Sequence, residues 1–243
     1  MVNVEAAFAG FVREFGGEVV EDIVGPSPDF LNADYLFRKA GVVAELKRMV
    51  KNKAEDQTLQ AKIQEKFDRW MADGTIGPIY GRTVVRSKSL PLECQRELLD
   101  VYKPPLQSRI IKANKQIKQT IGRLGVEPAQ GLLIIVNDGN YALEANAALY
   151  LINRVLGRSF RRINSVVYCT VNMFAKTPMT PKPTLLWVHC TRRSIVSPID
   201  SEFVMSMFRG WRTHLQQLTG ESIEEVQLED DREVDNIRYA REI

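Results

Sequence analysis

Residues Asn32 to Arg48 run Asn-Ala-Asp-Tyr-Leu-Phe-Arg-Lys-Ala-Gly-Val-Val-Ala-Glu-Leu-Lys-Arg. Two short apolar runs, Tyr35-Leu36-Phe37 and Val42-Val43-Ala44, flank a polar reversal that contains Gly41. β-branched and aromatic residues on either side of a Gly-bearing turn specify an antiparallel hairpin. With the turn centred between Lys39 and Ala40, Phe37 faces Val42, Leu36 faces Val43, Tyr35 faces Ala44 and Asp34 faces Glu45. Directly opposed residues share a face, with Cβ atoms roughly 4.5–5.5 Å apart. Side chains alternate along a strand, so Lys47 joins Glu45 on that face. The hairpin is therefore expected to bring Asp34, Glu45 and Lys47 to one spot.

Two carboxylates opposed across strands repel unless a cation lies between them. Mg²⁺ and similar hard cations take carboxylate oxygens and keep several waters. A neighbouring lysine can orient or deprotonate such a water, or offset charge developing on a phosphate. At these residues the chain resembles the PD-(D/E)xK, or restriction-endonuclease-like, nuclease superfamily, whose motif is an Asp on one strand and Glu-x-Lys on the next. Here that is Asp34 with Glu45-Leu46-Lys47. Pro28-Asp29 is a literal Pro-Asp and a rival for the Asp position, but it lies beyond a Pro-rich turn, whereas the register sets Asp34 against Glu45. The bland alternative is that Glu-x-Lys is a solvated polar strand face.

The resemblance implies a divalent-metal-dependent nuclease that hydrolyses phosphodiester bonds, an endonuclease acting on DNA ahead of RNA, of the restriction, repair or defence type. It implies Mg²⁺ or Mn²⁺ held by Asp34, Glu45 and the backbone carbonyl of Leu46, with Lys47 positioning or activating the attacking water. Glu5, on a leading helix, is a further candidate ligand, and equally a surface Glu placed favourably near a helix N-terminus. The implied fold is α/β, a restriction-endonuclease-like αβββαβ core with a mixed sheet, a helical insertion and C-terminal helices. The alternatives are a catalytically inactive nucleic-acid-binding or regulatory subunit of the same fold, or a protein-interaction module. Homodimers or a partner protein are compatible with double-strand cutting.

At 243 residues the chain can bury one substantial core, and its 44% hydrophobic and 26% charged composition is ordinary for a globular protein. No apolar run reaches the length of a membrane helix. The first residues lack a basic segment followed by an apolar one, so no secretory signal is expected. Cys94, Cys169 and Cys190 have no C-x-x-C spacing and are expected to be reduced, with Cys169 and Cys190 in the core. A cytoplasmic compartment follows. Nine acidic and three basic residues from Glu221 onward give that segment −6, leaving +9 of the total +3 on residues 1–220. A basic body with an acidic tail suits a polyanion-binding protein. The chain is therefore divided into a single domain over 1–220 and an acidic tail or helix over 221–243.

Helical spacing places Val4, Ala7, Phe8, Phe11, Val12 and Phe15 on one face, ended by Gly16-Gly17. Val19 to Val24 reads as a first strand. Arg48, Lys51 and Lys53 follow the hairpin as candidate phosphate contacts. A helix over Glu55–Met71 carries Gln57, Gln60 and Gln64, any of which could reach the site. Leu90 to Tyr102 reads as a helix stopped by Pro104-Pro105, and a second helical face starts at Leu106. Residues 73–127 are thus expected as an all-helical insertion. Between Val101 and Val126 stand six Lys or Arg and no acid, so Arg109, Lys112, Lys115 and Lys118 are candidate nucleic-acid contacts.

Gly131 to Val136 reads as a buried strand, Tyr141 to Leu156 as a helix and Val166 to Val171 as a parallel strand. Asp138, at a strand's C-terminal end, is a candidate site residue, with a turn former the stronger expectation. Thr184 to Cys190 reads as a further strand with His189 satisfied in the core, and Arg192 and Arg193 as phosphate candidates at its end. An amphipathic helix over Phe203–Leu218 places His214 at the surface or boundary. No nucleotide-binding loop, hydrolase elbow or zinc motif occurs, and no RNA-binding module signature.

Overall fold

A computed structural model describes residues 1–50, 56–81, 89–141, 143–157, 160–177, 180–191, 198–225 and 231–240. In chain order the elements are α1 (Val4–Glu14), β1 (Glu18–Val19), α2 (Val20–Val24), β2 (Tyr35–Phe37), β3 (Val42–Met49), α3 (Gln57–Ala72), α4 (Leu92–Leu124), β4 (Gln130–Asp138), α5 (Ala145–Leu156), β5 (Ser165–Val171), β6 (Phe174–Thr177), β7 (Thr180–Thr184), β8 (Trp187–Thr191), α6 (Ser201–Thr219) and β9 (Arg238–Ala240). A six-stranded mixed sheet has the order β1-β2-β3-β4-β5-β8. Its β3–β4 and β4–β5 pairs are parallel and the others antiparallel. A second, antiparallel sheet has the order β7-β6-β9. The protein is a mixed α/β fold.

The central hairpin pairs as its pattern requires: Tyr35 with Ala44, Leu36 with Val43 and Phe37 with Val42. A 3-10 turn at Arg38–Ala40 ends at Gly41 in the left-handed region, φ 62°. A Cβ there would also stand 2.5 Å from the carbonyl oxygen of Pro128, so both conformation and space require glycine.

Strand alternation gives the main sheet two apolar faces. On one, Ala44, Leu46, Leu132, Ile134 and Val167 pack against Phe8 and Phe11 of α1 and Met207 and Trp211 of α6. On the other, Val43, Leu133, Ile135 and Val166 pack against Leu106, Ile110 and Ile117 of α4 and Leu151 and Ile152 of α5. Glu45 and Lys47 alternate onto this second face, beneath α4. The later half of the window expected as an insertion thus supplies one wall of the main core.

Several local expectations are corrected. The first strand stops at Val19, and Val20–Val24 is helical. The Val20 N–H closes on the Asp34 carbonyl at 2.9 Å, and Glu21 and Asp22 then suit a helix's first turn. α4 runs through Pro104 and Pro105 without a break. An interior proline costs about 3 kcal/mol or more. Burial of Leu106, Ile110 and Ile117 offsets that at roughly 1.5–3 kcal/mol each. α5 begins at Ala145 rather than Tyr141, because the Asn137 side chain bonds both the N–H and the C=O of Asn140 and holds a turn there.

The run Thr184–Cys190 is divided between sheets. Leu186 exchanges hydrogen bonds with Thr170, through backbone at 3.0 Å and hydroxyl at 2.9 Å, and the chain then enters the main sheet as β8. His189 is only half-buried, and its Nε2 has no partner among the described residues. Desolvation lowers its pKa. His214 is buried, not peripheral, with Nδ1 2.7 Å from Glu14 Oε2. The acidic C-terminus is no free tail over its described part: Val234 and Ile237 are buried in the main core, β9 pairs with β6, and the Tyr239 hydroxyl meets that of buried Tyr168 at 2.6 Å. Cys94, Cys169 and Cys190 are unbridged, the first two buried and Cys190 half-buried.

Candidate active site

Pairing of β2 with β3 ends at Tyr35 and Ala44, and beyond that point no strand among the described residues pairs with this edge of β3. Asp34 stands at this edge. Its backbone carbonyl is held by Val20 N–H, and its Oδ2 accepts the Leu46 N–H at 2.7 Å. The N–H and C=O of one residue in an antiparallel strand point to the same side. The Leu46 carbonyl therefore faces the edge where Asp34 stands.

Glu45 is fully buried on the α4 face of β3. Its Oε1 accepts a hydrogen bond from Lys47 Nζ, and its carboxyl group is within hydrogen-bonding reach of that of Asp34. Burial, and then the nearby charge of Asp34, pushes the Glu45 carboxyl up to about 8. Burial also raises Asp34, against the lowering effects of the Leu46 N–H and the Lys47 charge. Two acidic groups and a lysine thus share a low-dielectric corner. The expected triad converges.

Lys47 Nζ also donates to Gln116 Oε1 of α4 at 2.9 Å, and Gln116 Nε2 donates to the Asn32 carbonyl at 2.7 Å. Lysine can only donate and a carbonyl can only accept, so both bonds fix the same amide orientation. Gln57, Gln60 and Gln64 of α3, the amides expected near the site, are instead exposed. A signal did exist: Gln116 interrupts the buried face formed by Ala113, Ile117 and Thr120.

Arg48 points to the opposite face of β3. Its guanidinium bonds Glu5 Oε1 at 3.2 Å and Asp138 Oδ2 at 2.6 Å, and Asp138 Oδ1 accepts from Asn172 at 2.8 Å. Arg48 is therefore engaged internally, and Asp138 is a buried ion-pair partner beyond its place in a turn. The Asp138 hydrogen bond is the main reason the Arg48 pKa is raised. Glu5 is exposed and tied to Arg48. Asp29, the rival acid, is exposed and paired with Arg123 at 3.0 Å. On α4, Lys112, Lys115 and Lys118 are exposed and Arg109 is half-buried. Lys51, Lys53, Arg192 and Arg193 lie outside the described residues.

Among the described residues, no group of three or more His, Cys, Asp or Glu stands together as a metal cluster. The side-chain donors at the candidate site are two carboxylates. No helix among the described residues is long and apolar enough to cross a membrane. No family model, curated protein or solved structure matches the chain. Its class is thus defined by its own fold and site: a mixed α/β protein whose half-buried Asp34 and Lys47 meet buried Glu45 where the β2–β3 ladder ends.

Proposed function

We propose that the protein is a divalent-metal-dependent nuclease with a restriction-endonuclease-like core, acting on DNA. The observation that carries this reading is the convergence of Asp34, Glu45 and Lys47, with the two carboxyl groups within hydrogen-bonding reach of one another. Two buried carboxyl groups this close cannot both ionise unless a cation lies between them, and without one Glu45 keeps its proton. The donor set is all oxygen, which fits Mg²⁺ or Mn²⁺. Asp34, Glu45 and the Leu46 carbonyl would hold the ion, and a bound ion would supply Lewis-acid polarisation of a phosphodiester and a more acidic water.

The chain's own residues would do the rest. Lys47, held by Gln116 on one side, presents its ammonium to the same corner, where it can orient a water or offset phosphate charge. Lys112, Lys115 and Lys118 are exposed on the helix that covers the site, which suits a nucleic-acid backbone. The order of helix, hairpin, helix, parallel strand, helix and parallel strand accords with the proposed core.

The test is cleavage of circular single-stranded and supercoiled double-stranded DNA by the pure protein with Mg²⁺, Mn²⁺ or EDTA. Glu45→Gln and Lys47→Ala are assayed alongside after a check of folding. Metal-dependent nicking abolished by both substitutions is expected. Activity that survives in both would exclude this site. Tight, salt-sensitive DNA binding without cleavage would favour an inactive binding subunit, and neither binding nor cleavage would favour a protein-interaction module.

A further inference from the structure

We infer that α4 sets Asp34 against Glu45, and that Gln116, Gln119 and Thr120 are positioning residues for the site's divalent cation. This rests on the nuclease reading above. The three residues stand at i, i+3 and i+4 and so share a helix face. They address three consecutive residues of the loop that ends in Asp34. Gln119 Oε1 accepts the Leu31 N–H at 2.6 Å, Gln116 Nε2 donates to the Asn32 carbonyl at 2.7 Å, and Thr120 Oγ1 accepts the Ala33 N–H at 2.7 Å.

Between α2 and β2 the chain has neither helix nor strand, so its backbone groups need partners from outside. α4 supplies one to each residue in turn. The Gln116 amide also holds Lys47, so one side chain ties the loop to the lysine of the site. Asp34 is held at its carboxylate by the Leu46 N–H and at its carbonyl by the Val20 N–H, and this helix holds the three residues that lead into it. Loss of the helix's hold frees the loop to move Asp34 away from Glu45. Outer-shell partners of metal ligands commonly contribute 10–100-fold in affinity.

The test is calorimetric titration of Mn²⁺ into the full chain and into Thr120→Val, Thr120→Ser and Gln119→Ala. Valine keeps the shape of threonine and removes the hydroxyl, serine restores it, and Gln119 is exposed, so its truncation spares the core. Thr120→Val and Gln119→Ala are expected to weaken Mn²⁺ binding by roughly 10–100-fold, with Thr120→Ser close to the parent. Should Thr120→Val not fold, Gln119→Ala decides alone. Parent affinity retained in both truncations would overturn the positioning role while leaving the metal site intact. Absence of Mn²⁺ binding by the parent chain would overturn the metal reading and this inference together.

Discussion

The carboxylate of Asp34 closes on the backbone N–H of Leu46 at 2.7 Å, at the point where the β2–β3 ladder has ended. A side chain thus continues the pairing that the backbone gave up. It places one acid beside another, Glu45, which is fully buried. Like charges in a dry corner store unfavourable energy that a proton or a cation relieves, and each remedy has a measurable signature.

Cation binding should stabilise the fold. At a concentration about 100 times its dissociation constant, a ligand adds about 2.7 kcal/mol. For a domain of this size that raises the unfolding midpoint by roughly 5–10 °C. Scans with Mg²⁺ and with EDTA should show this difference in the parent and lose it in Glu45→Gln.

The pH dependence has a definite sign. The folded-state pKa of Glu45 is raised from 4.5 to about 8. Between those values the folded state keeps a proton that the unfolded chain releases. The associated stability is complete below about pH 4.5 and is lost as pH rises towards 8, with a slope of at most about 1.4 kcal/mol per pH unit for one group. Denaturation midpoints in EDTA should fall over that interval, and Glu45→Gln should flatten the fall. A stability that instead rises from pH 5 to 8 in the parent would refute the assignment.

Gln116→Leu should separate chemistry from binding. It removes the Gln116 hydrogen bond of Lys47 Nζ and keeps the side chain's bulk. If cleavage is found, its kcat should fall by about 10–100-fold with little change in KM for DNA. A KM effect alone would show that Gln116 serves binding.

The two faces of α4 should respond differently. Ile117 is fully buried against the sheet, so Ile117→Ala should cost about 2–5 kcal/mol in denaturant unfolding. Lys115 is exposed, so Lys115→Ala should leave stability within about 0.5 kcal/mol of the parent. If α4 contacts a DNA backbone, that substitution should reduce the slope of log K against log salt by about 1.

The hairpin and its triad were legible because both are local. Alternation and one glycine turn fix which residues oppose which as far as Tyr35 and Ala44, and the Asp34 side chain, one residue further, reaches the Leu46 N–H beside Glu45 and Lys47. α1 and α6 were legible for a similar reason, since a periodic apolar stripe has to face a core. The breaks were less legible. Pro104-Pro105 signals a stop, yet packing of Leu106, Ile110 and Ile117 on the sheet outweighs the local penalty. Thr184 to Cys190 reads as one strand, but Thr170 captures Leu186 and sends the chain into a different sheet.

What the sequence determined by itself was the chemistry along β3, because strand neighbours are set by a period of two residues. Only the tertiary structure decided what covers that chemistry. Gln116 lies 69 residues from Lys47, and Arg48 lies 90 from Asp138. No local periodicity encodes such distances. They follow from burial of α4 on one face of the sheet and α1 on the other, which brings an amide to the lysine on one side.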